Sequence, residues 1–311
     1  MKPKDRIRIR EAFIGFSPLI QAAVESAIEA GEFVSEAPIA PIVTKDDPNV
    51  GHHAIVTDTD IKSQRLIIST MRKRVENMLF IVEEDEPSGD SRIITESTLN
   101  LVKSSLVCQA DPIDGSTEQA RGSFEWSVSV GTAEHGTLLG GGIFAPAVLG
   151  GFFIGGERGL GSLFWQGNKP GKISPARVTQ EPLSAGAILI GQDLIFLDPF
   201  EKFVHALGKK SQMTNTAGSC ALGLAQVATG QKTALIQPHQ GPWDYAAGIP
   251  LVLEAGGMVV FFHYRNGVIE FIDAPDLQSF NPRIRKLGFI AGSPKAVPEI
   301  KTLLEKTFIV Q

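Results

Sequence analysis

Two aspartates three positions apart, Asp111 and Asp114, stand in the stretch Asp111-Pro112-Ile113-Asp114-Gly115-Ser116. Residues 105–110 before it form a short apolar run that reads as a buried strand. Pro112 fixes its own φ and biases Asp111 toward extended backbone, which lets the two carboxylates converge at the strand's end. Gly115 permits a tight turn, and Ser116 suits the cap of a short helix over residues 117–121. Paired hard oxygen ligands beside a helix start, whose free N–H groups attract anions, suit a divalent metal together with a phosphate. Asp-Pro and Asp-Gly are also ordinary turn formers, so the hexapeptide alone leaves both readings open.

Other acids are placed by recognisable elements. An apolar run at residues 79–82 reads as a strand that delivers Glu83-Glu84-Asp85-Glu86, although such a run also serves as a solvated face. Thr57-Asp58-Thr59-Asp60 opens a helix reaching about Val75, with Asp60 in its first turn and Arg72-Lys73-Arg74 at its negative end. Trp243-Asp244 precedes an apolar helix that closes on Glu254-Ala255-Gly256-Gly257; an aspartate at a helix start is also a common N-cap.

The scaffold around these acids is an α/β chain in two lobes. Ser17-Pro18 starts a helix with Leu19, Ile20, Ala23, Val24, Ala27 and Ile28 on one face, expected to end near Gly31 with loop over residues 32–51. Residues 93–103 read as a helix leading into the strand before Asp111. Glycines punctuate short apolar runs over residues 124–164, the pattern of an antiparallel meander. A Gly-, Pro- and Lys-rich stretch, residues 167–175, marks a lobe boundary. The expectation is an α+β lobe over residues 1–170 and an α/β lobe over residues 171–311, where apolar runs alternate with helical patterns and a helix over residues 298–308 closes the chain.

The bulk properties narrow the class. With 311 residues, 43% hydrophobic and 20% charged, the chain can bury a large core. A net charge of -5 argues against a nucleic acid polymer as partner. The two cysteines, Cys108 and Cys220, read as buried free thiols of a reducing compartment. The charged start, residues 1–11, holds no apolar segment of signal-peptide length, and glycines and a proline break the apolar run at residues 138–154. A soluble, cytoplasmic protein without a membrane span is expected.

Taken together, Val56-Thr57-Asp58-Thr59-Asp60, Phe80-Ile81-Val82-Glu83-Glu84, the hexapeptide, and Trp243-Asp244-Tyr245-Ala246-Ala247-Gly248 resemble the inositol monophosphatase family in order and spacing. These are metal-dependent, lithium-sensitive sugar-phosphate phosphatases. Gly218-Ser219-Cys220-Ala221-Leu222 is similar to the family's second-lobe substrate loop, and the likeness extends from about Ser17 to Val260. It implies a layered α-β-α-β-α sandwich, a homodimer, and two or three Mg2+ ions. The implied metal ligands are Glu83, Asp111, the carbonyl of Ile113, Asp114 and Asp244. Catalysis would fall to Asp60, Glu83 and Ser116, with a serine where the family has threonine. Substrate contacts would come from Gly115, Ser116, Gly218, Ser219, Cys220 and Gln237. The physics agrees: carboxylates from separate segments repel one another, so a bound cation explains why a fold would gather them.

The resemblance implies in-line attack of a water on the phosphorus of a small phosphorylated metabolite. Departures cluster around the rest of the substrate. Gln237 stands where inositol-specific members carry glutamate, Asn215 and Thr216 where many bacterial members are basic, Glu118 in place of asparagine, Gln64 in place of glutamate, and Val82 in place of glycine. An amide in place of a carboxylate removes a strong acceptor for sugar hydroxyls. The expected substrates are an inositol or sugar monophosphate, then fructose 1,6-bisphosphate, then a 3′-phosphonucleotide. Lys209, Lys210 and Arg121 are the cations that could meet a second phosphate, or simply solvated surface. A catalytically silent scaffold, or a protein that only binds such phosphates, is the rival of another class.

Overall fold

The computed structural model describes residues 1–39, 43–45, 54–84, 92–94, 101, 104–169, 171–197, 200–265, 267–273 and 287–310. A small antiparallel hairpin pairs β1 (Val43–Lys45) with β2 (Ala54–Val56). Among the described residues there are also two seven-stranded sheets. The first holds β3 (Leu79–Val82), β4 (Leu106–Asp114), β5 (Ser127–Glu134), β6 (Thr137–Ala145), β7 (Phe152–Glu157), β8 (Gly161–Gln166) and β9 (Ile173–Pro175), in sequence order. β3 and β4 pair in parallel there; β4 to β9 form the antiparallel meander that the glycine pattern predicts. The second sheet holds β10 (Ala187–Gly191), β11 (Met213–Ala217), β12 (Ala234–Gln240), β13 (Met258–Arg265), β14 (Val268–Ile272), β15 (Leu287–Gly292) and β16 (Ile309–Val310). Its order is β11-β10-β12-β15-β13-β14-β16, with mixed pairing.

Helices fill three layers around these sheets. They are α1 (Pro3–Ala12), α2 (Pro18–Glu36), α3 (Asp58–Arg74), α4 (Ser116–Ala120), α5 (Asp193–Phe196), α6 (Glu201–Lys210), α7 (Cys220–Ala228), α8 (Pro242–Tyr245), α9 (Gly248–Glu254) and α10 (Ala296–Thr307). Successive side chains of a strand face opposite ways, and the cores follow that alternation. On β4, Cys108 and Ala110 join Ile20, Val24, Ile67 and Met71 of α2 and α3 in one core. Val107 faces the other way, into a middle core where Leu224 of α7 and Leu251 of α9 meet Leu189 and Leu235 of the second sheet. On β10, Ile188 and Ile190 turn outward to Phe203 of α6 and Ile300 of α10. The result is the α-β-α-β-α sandwich, with each buried aliphatic worth about 1.5–3 kcal/mol. Among the described residues, no helix is long and apolar enough to cross a membrane.

Several boundaries differ from expectation. α2 runs on to Glu36 rather than ending at Gly31, because Gly31 is a packing position: a Cβ there would lie 2.5 Å from Phe144 Cδ1. β4 continues through Asp114, because pairing with β5 resumes after an irregularity. Ile93 bridges to Phe80 in the first sheet rather than opening a helix. The remainder of that predicted helix lies largely outside the described residues.

The charged N-terminus forms α1, which charge alone did not mark as a helix. Arg6 donates to Glu29 at 2.8 Å and Glu32 at 2.9 Å, and both Arg6 and Arg10 donate to Glu25 on α2. Burial opposes ionisation of Glu25, but hydrogen bonds and charge from Arg10 and Arg6 prevail and lower its carboxyl from 4.5 to about 2. The folded state therefore releases this proton more readily than the unfolded chain. Its contribution to stability is complete above about pH 4.5 and is lost as the pH falls toward 2. Urea midpoints between pH 2 and 5 should fall less steeply in Glu25→Gln than in the wild type.

Candidate metal centre

Residues three apart on a regular strand point to opposite faces, so Asp111 and Asp114 should diverge. They do not, because the strand is bulged. Asp111 pairs with Ser129 and Asp114 with Ser127, so three steps on β4 match two on β5. The extra residue falls at Pro112 or Ile113, where the proline has no N–H to offer the ladder. Asp111 Oδ1 accepts from Ile113 N at 2.9 Å, which closes the turn. Both carboxylates then share one side.

Asp244 completes the group from the second half of the chain. It lies in the first turn of α8, and its Oδ2 accepts from Gly241 N at 2.8 Å. The helix pair α8 and α9 sits close on β5 because Gly131 has no side chain; a Cβ there would lie 2.5 Å from Ala247 N. Asp111, Asp114 and Asp244 are buried, with carboxylate oxygens within 4.8 Å of one another. Asp114 Oδ2 accepts from Ser219 Oγ at 2.7 Å and from Ala221 N, and Oδ1 from Cys220 N at 3.2 Å.

Three carboxylates buried together disfavour each other's ionisation. Asp111 is pushed well above its usual 3.8 by burial, then by the charges of Glu83, Asp114 and Asp244. Burial raises Asp114 to about 6 against the pull of Ser219, Ala221 and Cys220. Hard oxygen donors that repel one another in a buried setting are a donor set suited to Mg2+. Glu83 follows β3 and is half-buried; it lies beside this trio rather than within it, and its charge acts on Asp60, Asp111 and Asp114.

A second pair adjoins the cluster. Asp60, fully buried on α3, accepts from Thr57 N through Oδ2 at 2.8 Å in a capping box. Its Oδ1 accepts from Ser116 Oγ at 2.9 Å, and that hydroxyl also lies 2.8 Å from the carbonyl of Ile113. Ser116 is the first residue of α4 rather than its cap. Gly115 is the cap, at φ 94°, where a Cβ would lie 2.9 Å from Glu125 O and 3.1 Å from Gly218 O. Burial raises the Asp60 carboxyl, and the hydrogen bonds from Thr57 and Ser116 only partly offset it.

The substrate-loop residues reach the site through Asp114. Ser219 caps α7 while donating to Asp114, and the Cys220 N–H is held on the same carboxylate. Gln237 is buried on β12, where its Oε1 accepts from Gln240 Nε2 at 3.1 Å. Both cysteines are buried and free. Sequence reasoning missed Ser127 and Ser129 of β5. Ser127 Oγ lies 3.0 Å from Ser219 Oγ and, since the Ser219 proton goes to Asp114, acts as its donor. Ser129 Oγ donates to the carbonyl of Trp243 at 3.1 Å, beside Asp244. The signal was legible: serines alternating with valines put hydroxyls on one face of a buried strand.

The inositol monophosphatase family matches residues 16–295. The chain belongs to that family. It is accordingly a phosphoric monoester hydrolase. An inositol monophosphatase family relative from Thermotoga maritima, the fructose-1,6-bisphosphatase/inositol-1-monophosphatase, is 29% identical over 216 residues, 70% of this chain and 75% of its own. Human inositol monophosphatase 2 is 29% identical over 272 residues, 84% of this chain and 86% of its own. Among solved structures, the extragenic suppressor protein suhB from Bartonella henselae superposes with a TM-score of 0.71 at 23% identity, over 93% of this chain and 99% of that one. The inositol monophosphatase fold thus extends across nearly the whole chain.

Proposed function

We propose that this family member is a Mg2+-dependent phosphatase of an inositol or sugar monophosphate. The carrying observation is the convergence of Asp111, Asp114 and Asp244 next to the Ser116–Asp60 pair. Asp111, Asp114, Asp244, Glu83 and the Ile113 carbonyl would hold two or three ions. A divalent cation held there supplies Lewis acidity toward a phosphate oxygen and makes a water acidic enough to attack at neutral pH. Ser116 Oγ takes a proton from the attacking water and passes its own to Asp60 Oδ1, a carboxylate that burial makes more basic. Glu83 would share that water and the metal. The Gly115 and Ser116 N–H groups receive the phosphate, with Gly218, Ser219, Cys220 and Gln237 shaping the pocket for the alcohol.

The Thermotoga maritima relative's name includes fructose-1,6-bisphosphatase, which makes the bisphosphate the second reading. Lys209 and Lys210 do not favour it: they are exposed in the last turn of α6, in the outermost helix layer. With the family reading go a two-lobed division near residue 170, a homodimer, a cytoplasmic location and inhibition by lithium. A panel of inositol monophosphates, sugar phosphates, fructose 1,6-bisphosphate and 3′-phosphonucleotides tests the proposal. Phosphate release from a monophosphate in Mg2+, abolished by EDTA and restored by added Mg2+, is expected. Uniform silence across the panel, with saturable binding, would assign the chain to the non-catalytic class.

A further inference from the structure

Glu83 sits at the edge of the first sheet, where the chain leaves β3. The pairing of Val82 with Ala110 fixes the backbone before it. What fixes the backbone after it is a side chain. Gln64 of α3 accepts from Glu84 N through Oε1 at 3.0 Å and donates from Nε2 to Glu84 O at 3.0 Å. Gln64 is fully buried and Glu84 is 4% exposed, so neither bond competes with bulk water. The first bond pins the peptide joining Glu83 to Glu84 and the second pins the peptide after it. Together with the strand they hold Glu83 from both ends.

The same helix braces the rest of the site. Asp60, one turn before Gln64, accepts from Ser116, and Ser63 donates to the carbonyl of Pro112 at 3.1 Å. Three neighbouring side chains of α3 thus reach three separate pieces of the centre. An amide offers both the acceptor and the donor that these two bonds need without carrying a charge.

We infer that Gln64 is the positioning residue for Glu83: its amide locks the Glu84 backbone on both sides and thereby sets the Glu83 carboxylate toward the cation. The inference rests on the metal-dependent reading above. Its test is a Mg2+ titration of the thermal midpoint, without substrate, on the wild type, Gln64→Leu and Gln64→Met, beside the KM for a phosphomonoester at saturating Mg2+. The Mg2+ concentration giving half the thermal shift should rise about 10–100-fold in both variants, with the KM kept within about threefold. Each variant removes both bonds without adding charge, so either decides the matter if the other does not fold. A folded variant with the wild-type Mg2+ midpoint overturns the inference alone. A wild type whose midpoint ignores Mg2+ overturns the metal-dependent reading and this inference with it.

Discussion

Replacing Asp111 by asparagine should abolish turnover and at the same time stabilise the chelated protein. Removing one carboxylate of the trio costs several kcal/mol of charge stabilisation in the transition state, so kcat/KM should fall by about 10³-fold or more. The stability effect has the opposite sign. Asp111, Asp114 and Asp244 are buried together, and Asp111 is pushed well above its ordinary range by burial and by its acidic neighbours. In EDTA the folded protein holds protons on Asp111 and Asp114 that the unfolded chain has already released. Its stability therefore falls as the pH rises from about 3.8 through about 6, the value to which Asp114 is raised. Asp111→Asn relieves that repulsion, so its EDTA midpoint at pH 7 should lie above the wild type's, by about 2–4 °C per kcal/mol relieved. Calorimetry with and without Mg2+ reads both effects. A variant that loses activity and EDTA stability together would mean that the carboxylate is structural.

Asp60→Asn should separate proton transfer from ion binding. Asp60 lies outside the three-carboxylate group and touches the centre through Ser116. The asparagine Oδ1 can still accept from Thr57 N and keep the helix cap, but its amide donates toward Ser116, which must then turn to the Ile113 carbonyl. The relay loses its acceptor. kcat should drop by about 10²–10⁴-fold while the Mg2+ concentration for half saturation changes only a few-fold. Steady-state kinetics over a Mg2+ series checks this; kcat within a few-fold of wild type would remove Asp60 from the chemistry.

The acids themselves were legible in the chain, because Asp-Pro-x-Asp after an apolar run and Trp-Asp before a helix are local patterns. How Asp111 and Asp114 come to share a side was not. Their spacing contradicts the strand period, and the bulge that reconciles them exists only through pairing with Ser127 and Ser129. The supporting polar residues were visible only in part. Ser63 and Gln64 follow Asp60 at helical spacing, so a shared face could be read, but their acceptors at Pro112 and Glu84 are long-range backbone groups. The α1 helix escaped notice because its partners are distant, although Glu25, Glu29 and Glu32 recur at helical spacing on α2 and mark a face waiting for cations. Polar edge strands such as β11 carry too little apolar pattern to stand out.

The layered fold was readable because each core takes alternate residues of its strands, as Cys108 and Val107 do on β4. Gly31 shows the limit of local signals. Its residue type suggests a helix end, yet its role is to admit the Phe144 ring.

Anomalous diffraction from crystals grown with saturating Mn2+, a spectroscopically visible stand-in for Mg2+, reads the centre most directly. We expect density held jointly by Asp111, Asp114 and Asp244, and its disappearance in crystals of Asp111→Asn. Mn2+ bound elsewhere with nothing among these three carboxylates would contradict the metal centre and, with it, the phosphatase mechanism built on it.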